Sequence, residues 1–138
     1  MERICKILVV EDDDAVRELL GTVLEIAGYQ FTLVGTGAAM RTALDDEDFD
    51  VAIIDVSLRG GEDGLSLARE AQARGCGVIL TTGDPQQQAR LPGSGHRHLM
   101  KPFRVQQLTT LVDQVLKDTA ALCAPRPPDG QAPLPARP

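Results

Sequence analysis

Carboxylate side chains follow two of the short apolar segments in this 138-residue sequence. Glu11 and Asp12 come directly after the first segment, and Asp55 comes directly after the third. Clustered carboxylates suit hard cations such as Mg²⁺, which takes one or two of them together with waters and a substrate phosphate. An aspartate carboxylate can itself accept a phosphoryl group as an acyl phosphate. These residue types therefore indicate Mg²⁺-dependent phosphoryl transfer to an aspartate, provided that the fold brings them together.

Two further polar positions follow the fourth and fifth apolar segments. Thr82 supplies a hydroxyl group next to Gly83, which leaves room for a phosphoryl group, and Lys101, before Pro102, supplies an ammonium group. Phosphoryl transfer needs a positioned cationic side chain of this kind. Thr81 stays open as an alternative to Thr82, because a shift of one residue in a strand turns a side chain to the opposite face.

The segments that must position these groups alternate between strand and helix patterns. Short apolar runs predict strands at residues 4–10, 29–34, 51–54, 78–81 and 97–100. Helical patterns lie between and after them, at residues 14–27, 36–44, 65–73, 84–91 and 105–116. This alternation predicts an α/β fold, a doubly wound five-stranded parallel sheet with helices on both faces. Ligands of such sheets bind beyond the carboxyl ends of the strands, where the polar positions fall.

Composition limits the classes of partner and compartment. A net charge of -6 argues against sequence-independent binding to nucleic acid phosphates. No apolar run is long enough to cross a bilayer, and the first residues do not have the pattern of a signal peptide. Cys5, Cys76 and Cys123 are odd in number and have no CxxC spacing, so we expect neither a disulfide framework nor a zinc site, and a cytoplasmic location.

The last part of the chain differs in composition from the rest. Residues 118–138 contain six of the nine prolines and almost no large apolar side chains. Such a segment cannot bury enough surface to offset its ordering entropy, so we expect a disordered tail after a folded domain at 1–117. A tail of this kind cannot fold a DNA-binding or catalytic output domain, which leaves protein contact as the expected route of any signal.

From about residue 4 to residue 117, the sequence resembles the receiver domain of two-component response regulators. The resemblance rests on four motifs, all at predicted strand ends and in the same order: Leu8–Asp12, Ile53–Asp55, Thr82–Gly83 and Lys101–Phe103. It implies a flavodoxin-like fold with strand order 2-1-3-4-5. The Thr-Gly pair and a short fourth helix are similar to a branch of stand-alone receivers.

The resemblance also implies roles for the acidic residues. Asp55 would be the phosphoacceptor. Asp12 would bind Mg²⁺ directly, Glu11 would bind it through a water, and Asp55 together with the backbone carbonyl of Ser57 would complete the protein ligands.

The resemblance assigns phosphate binding and the conformational response to the remaining positions. By resemblance, Thr82 beside Gly83 would bond a phosphoryl oxygen, and Lys101 would pair with the new charge. An X-Pro bond at Pro102 can be cis and would then help to aim Lys101. His98 stands where a switch tyrosine or phenylalanine is common, so we expect the response mainly in the loop of residues 82–97.

The implied function is that of a cytoplasmic stand-alone receiver rather than an enzyme, apart from Mg²⁺-dependent self-phosphorylation and slow self-dephosphorylation. Asp55 would take a phosphoryl group from a histidine kinase or a histidine phosphotransfer protein. The signal would pass to a downstream protein, with no DNA binding and no membrane insertion, and a homodimer stays open.

Two other functions compete with this interpretation. One is a receiver-like interaction module that is not phosphorylated. The other is a phosphatase similar to the haloacid dehalogenases, because Asp12, Asp14 and Val16 match the D-x-D-x-[TV] nucleophile motif. That family needs a further acidic pair after its lysine, and Phe103–Gln106 follows Lys101 here.

Overall fold

Five parallel strands form the sheet that positions the polar residues. The computed structural model describes residues 3–119 and 121–127. A two-residue strand β1 (Arg3–Ile4) precedes the sheet strands, which are β2 (Lys6–Val10), β3 (Gln30–Val34), β4 (Val51–Asp55), β5 (Gly77–Thr82) and β6 (Arg97–Met100). They lie in the order β3-β2-β4-β5-β6. Numbered along the chain, this is the predicted order 2-1-3-4-5, so the fold prediction is confirmed.

Helices cover both faces of this sheet. They are α1 (Asp14–Ile26), α2 (Gly37–Asp46), α3 (Gly64–Ala73), α4 (Pro85–Gln88) and α5 (Val105–Asp118). Side chains of successive strand residues point to opposite faces. Leu8 and Val10 therefore pack in one core with α2 and α3, whereas Ile7 and Val9 pack in a second core with α1 and α5. Within the described residues, no helix has the length and apolar character needed to span a membrane.

Side-chain caps determine where four of the helices begin. An oxygen at each cap accepts a backbone N–H bond at 2.9–3.1 Å, and the capping residues of α1 to α4 are Asp13, Thr36, Asp63 and Asp84. Each cap of this type contributes about 1 kcal/mol to helix stability. Because Asp13 starts α1 only two residues after Glu11, the loop beyond β2 is short and holds its acidic residues close to the sheet.

The fourth helix is shorter than its sequence pattern predicts. The pattern covers residues 84–91, but α4 ends at Gln88 and a single 3₁₀ turn follows at Pro92–Ser94. Pro92 cannot donate a backbone hydrogen bond, and Gly95 adopts a positive φ of 79°. Helix formation therefore stops early and leaves an irregular connection between β5 and β6.

The C-terminal residues differ from their prediction. A two-residue strand β7 (Cys123–Ala124) pairs in parallel with β1, and Cys5 forms a disulfide with Cys123. The expectation of no disulfide is therefore wrong, and residues 118, 119 and 121–127 belong to the folded structure rather than to a disordered tail. Composition did not indicate this attachment, because strand pairing depends on backbone groups and the segment contributes only one side chain, Cys123, to the disulfide. Residues 120 and 128–138 of the predicted tail lie outside the described residues.

Candidate functional site

Three carboxylates meet at the carboxyl edge of the sheet. Glu11 and Asp12 follow β2, and Asp55 is the last residue of the neighbouring strand β4. One carboxylate oxygen from each of the three lies within 4.8 Å of the others. Glu11 and Asp55 are buried, and Asp12 is partly exposed. The structure thus brings together the carboxylates that the sequence placed at strand ends, because β2 and β4 are adjacent.

Lys101 joins this cluster from the far side of β5. Its Nζ donates hydrogen bonds to Glu11 Oε1 and to Asp55 Oδ2, the latter at 3.1 Å. Its backbone N–H donates to the carbonyl of Thr82 at 2.7 Å, which ties the end of β6 to the end of β5. The Lys101–Pro102 peptide bond is cis. One ammonium group therefore contacts two of the three carboxylates.

The electrostatics of the cluster are unbalanced. Burial raises the pKa of Glu11 to about 7, an effect that the Lys101 hydrogen bond opposes and the neighbouring Asp55 reinforces. Burial would lower the pKa of Lys101, but its hydrogen bond to Glu11 and the charge of Asp55 raise it above the usual value. Three carboxylates against one ammonium leave an excess of negative charge. A divalent cation with oxygen ligands fits this set of donors.

Asp55 is held by contacts on both of its oxygens. Oδ1 accepts the backbone N–H of Ser57 at 2.9 Å, and Oδ2 accepts Lys101. Ser57 is exposed, two residues beyond Asp55. Behind the site, a Cβ atom at Gly64 would lie 2.5 Å from the Asp55 carbonyl oxygen, so only glycine lets the start of α3 approach β4 this closely. Sequence reasoning missed this role, although a glycine at the first position of a helix is a visible signal.

Asp12 has a partner that the sequence did not indicate. Its Oδ2 accepts the backbone N–H of Arg59 at 2.7 Å, and the Arg59 Nε lies 3.5 Å from the same oxygen. Arg59 lies in the loop between β4 and α3, and its side chain is largely exposed. The guanidinium contact joins an exposed arginine to an aspartate that is only 14% exposed, at a distance longer than that of a hydrogen bond, so it contributes little compared with the backbone N–H bond.

The two threonines at the end of β5 are both buried and point to opposite faces of the sheet. In the strand registers, Thr81 pairs with Asp55, and Leu80 pairs with His98. By the two-residue period of a strand, Thr82 shares a face with Leu80 and therefore with His98. The Thr82 Oγ1 accepts the backbone N–H of Asp84 at 3.0 Å. Among the described residues, neither threonine hydroxyl hydrogen-bonds Asp55.

Gly83 and His98 border the same region. A Cβ atom at Gly83 would lie 3.8 Å from its nearest neighbour, the Lys101 Cβ, which is an ordinary van der Waals contact. His98 is half-buried on β6, and its Nδ1 is buried with no hydrogen-bond partner among the described residues. Pro102 is exposed. All the predicted site residues therefore lie at or next to the carboxyl edge of the sheet, with His98 two residues before the end of β6.

Comparison with known sequences gives a consistent set of relatives. The sequence profile of the response regulator receiver domain matches residues 7–113. Transcriptional regulatory protein GltR of Pseudomonas aeruginosa is 37% identical over 118 residues, which cover 80% of this chain and 48% of GltR. Aerobic respiration control protein ArcA of Escherichia coli is 30% identical over 120 residues, with coverages of 84% and 50%. The chain spans about half the length of these curated relatives.

Solved structures of similar shape are receivers as well. A CheY-like receiver domain protein of Methanospirillum hungatei superposes with a TM-score of 0.75 at 24% identity, over 85% of this chain and 97% of that one. Response regulator TrrA of Thermotoga maritima, solved in complex with Mg(2+)-BeF, gives a TM-score of 0.73 at 26% identity, over 82% and 100%. The receiver domain of an HD domain-containing protein of Pseudomonas fluorescens gives 0.77 at 26%, over 88% and 93%.

Proposed function

The chain belongs to the response regulator receiver domain family of two-component systems, and on this premise we propose that Asp55 accepts a phosphoryl group from a histidine kinase or a histidine phosphotransfer protein. Receiver domains are in general signalling modules rather than enzymes, and they interact with such donors. The observation that carries the proposal is the convergence of the Glu11, Asp12 and Asp55 carboxylates with the Lys101 ammonium. We further propose that the receiver signals by contact with a downstream protein.

Mg²⁺ is the cofactor that suits this set of donors, and receiver domains bind it at an acidic pocket. We assign direct contacts to Asp12, Asp55 and the Ser57 carbonyl, and a water-mediated contact to Glu11. The cation would supply positive charge against the phosphoryl oxygens as negative charge builds up on them. The buried Glu11, whose pKa is raised to about 7, supports this assignment, because an ionised carboxylate in such a position needs a compensating charge.

The nucleophile of the chemical step is the carboxylate of Asp55. A bond forms between one Oδ atom of Asp55 and the phosphorus, and the bond from phosphorus to the donor's imidazole nitrogen breaks. Lys101 already contacts Asp55 Oδ2 and is the cation that pairs with the transferred group. Thr82, which precedes Gly83 at the end of β5, is the proposed hydroxyl donor to a phosphoryl oxygen, with Thr81 as its alternative.

An apolar groove beside the site suits the docking of the phosphodonor. The groove encloses about 310 Å³ between α1 and the start of α5 and is lined in part by Leu19, Phe103 and Val105, next to Lys101. Leu19 is 62% exposed and Val105 is 56% exposed. Large apolar side chains that cluster at the surface mark interaction sites more often than single ones do. A partner that covers this groove would place its own residues next to Asp55.

The test of the proposed function is phosphoryl uptake. The wild-type protein is incubated with a small phosphodonor and Mg²⁺, and its intact mass is compared with those of Asp55→Asn and of Asp14→Asn, a matched control at an exposed aspartate. We expect one phosphoryl group on the wild type and on Asp14→Asn, and none on Asp55→Asn. Wild-type protein without any uptake would favour the unphosphorylated interaction module. Phosphate release from a generic ester that depends on Asp12 would favour the phosphatase.

A further inference from the structure

The disulfide between Cys5 and Cys123 joins two parts of the chain that are 118 residues apart. It lies at the opposite edge of the sheet from the carboxylate cluster, because Cys5 precedes β2 and Glu11 follows it. At about 3.3 Å per residue, the strand separates the two sites by roughly 20 Å. An inference about the disulfide therefore does not rest on the proposed phosphorylation.

The disulfide attaches a short C-terminal segment, residues 121–127, to the domain. Besides the sulfur bridge, the segment is held by the two paired residues of β1 and β7 and by three backbone hydrogen bonds, one of which runs from the Ala121 N–H to the Leu116 carbonyl at 3.1 Å. The N–H of Cys5 donates to the Ala124 carbonyl at 3.1 Å, and the N–H of Arg126 donates to the Gly28 carbonyl at 2.6 Å. A two-residue strand pair is marginal without further support, so the covalent bridge is the strongest attachment.

The segment also covers part of the core. Ala121 and Cys123 pack against the apolar cluster that α1 and α5 form with the sheet. Gly28 allows the close approach on this side, because its φ is 92° and a Cβ there would lie 2.3 Å from the Arg126 carbonyl oxygen. The fit at Gly28 indicates that the attached position of the segment is specific rather than accidental.

The two bridged cysteines differ in exposure. Cys5 is buried, and Cys123 is partly exposed. We therefore expect a thiolate from solution to approach the bridge from the Cys123 side. The third cysteine does not compete, because Cys76 is buried and burial raises the pKa of its thiol to about 11.

A metal site at the same place is less well supported. Cys5, Cys123 and Asp50 offer ligand atoms within 4.8 Å of one another. However, Asp50 Oδ1 accepts a hydrogen bond from Arg3, and Oδ2 accepts from both Arg3 and the Lys6 backbone N–H, at 2.6–2.8 Å. These three hydrogen bonds already hold the Asp50 carboxylate within the fold, so the structure favours the bond between the two sulfurs over metal ligation.

We propose that Cys5 and Cys123 form a reversible thiol–disulfide modification site that controls whether residues 121–127 are attached to the receiver fold. The co-reactant is a low-molecular-weight thiol–disulfide couple. In the reducing direction, two small thiols give up their protons and two electrons, the bond between Cys5 and Cys123 breaks, two protein thiols form, and the small molecules leave joined as a disulfide. Oxidation is the reverse exchange. Reduction uncovers the core surface under Ala121 and Cys123.

The experiment equilibrates the full chain in buffers of reduced and oxidised glutathione at varied ratios. Thiols are counted by alkylation under denaturing conditions followed by intact mass, and amide hydrogen exchange is followed at Cys5 and Arg126. We expect one thiol in oxidising buffer and three in reducing buffer. We also expect exchange at both amides to be about tenfold faster or more after reduction, and to remain faster than that of the β2 residues, which open only with the whole domain. Three thiols at a large excess of glutathione disulfide, or equal exchange in both states, would overturn the proposal.

Four further measurements separate this proposal from its competitors. Cys76→Ser should keep the redox response with one thiol fewer in each state, and Cys123→Ser should show fast Arg126 exchange in every buffer. Stoichiometric zinc binding by the reduced protein with slow Arg126 exchange would reject the redox assignment in favour of a metal site. Phosphoryl uptake is measured in parallel, and a failure of uptake at Asp55 would leave the thiol counts and exchange rates unaffected.

Discussion

Glu11 is the residue in which burial and function conflict most directly. Its carboxylate is buried with one lysine partner that it shares with Asp55, and its pKa is raised to about 7. A carboxylate whose pKa is higher in the folded than in the unfolded protein favours folding in its protonated form. The charged form that a cation site requires is therefore a cost to the metal-free fold.

The unfavourable burial of the ionised Glu11 carboxylate predicts that the stability of the protein depends on pH. Without Mg²⁺, the contribution of Glu11 to the free energy of unfolding should be complete below about pH 4.5 and be lost as the pH rises through about 7. We expect a loss of about 1–3 kcal/mol over this range. Urea unfolding at a series of pH values measures it, with Glu11→Gln as the control that removes the titration. Added Mg²⁺ should restore stability at pH 7, and an identical pH profile for wild type and Glu11→Gln would contradict the prediction.

Lys101 is the residue that we expect to read out the phosphorylated state. Its Nζ already contacts Glu11 and Asp55. A phosphoryl group on Asp55 would therefore attract the Lys101 ammonium group and change these contacts. Lys101→Ala should still take up some phosphoryl group from a small donor but should lose the change in affinity for the downstream partner. Lys117→Ala, at an exposed lysine of α5, is the control. An unchanged affinity response in phosphorylated Lys101→Ala would remove Lys101 from the switch.

The connection between β5 and β6 is the element that departs most from a regular helix. It contains only the four-residue α4 and one 3₁₀ turn, with Gly83, Gly93 and Gly95 as points of backbone freedom. An irregular segment with few regular hydrogen bonds opens at lower free energy than a packed helix. The end of β5 at Thr82 leads directly into it.

We therefore predict that the response to phosphorylation is concentrated in this connection. Backbone NMR with and without a stable phosphate mimic should show large shifts at residues 83–97. Thr82→Ala should suppress them, while Thr81→Ala, which alters the opposite face of β5, should not. His98→Phe should still bind the downstream partner. A response that His98→Ala abolishes while residues 83–95 do not move would reject the prediction.

Helix α1 offers a test of the docking groove. A charge at Leu19 should lower phosphoryl transfer from a histidine phosphotransfer protein by about tenfold or more, because it places an unpaired carboxylate in an apolar contact. Uptake by Leu19→Glu from a small phosphodonor should stay at the wild-type rate. Ile26→Glu is the matched control, since Ile26 is 82% exposed on the same helix but lies two turns away. Equal transfer to Leu19→Glu and wild type would place the donor elsewhere.

For the whole molecule, the disulfide is the main covalent constraint outside the backbone among the described residues. It closes a loop of 118 residues, which covers nearly the entire domain. Cross-links that close long loops stabilise chiefly by restricting the unfolded chain, and a loop of this length corresponds to about 3–5 kcal/mol. Reduction should therefore lower the free energy of unfolding by about that amount.

Urea unfolding of the wild type with and without a reductant measures this effect. Cys76→Ser should show the same difference between the two conditions, since Cys76 takes no part in the bridge. Cys123→Ser should unfold at the same urea concentration in both. A wild-type midpoint that does not respond to reduction would mean that the bridge adds no stability.

The sequence by itself determined the alternation of strands and helices and the position of each acidic, hydroxyl and basic group at a strand end. Apolar periodicity and helix caps are local signals, since Asp13 caps a bond only three residues away at Val16. In a parallel sheet, the carboxyl ends of all strands lie at one edge. The convergence of Glu11, Asp12, Asp55 and Lys101 could therefore be predicted before any distance was known.

The tertiary structure alone decided which of these groups touch. Several contacts join residues from different elements. They are the hydrogen bonds of Lys101 to its two partners, the contact of Arg59 with Asp12, the close approach at Gly64 and the bridge from Cys5 to Cys123. Such contacts depend on strand register and on the paths of loops, and neither leaves a periodic pattern in the sequence. For the same reason, composition failed at residues 121–127, where backbone pairing and one sulfur hold a segment that has little apolar surface of its own.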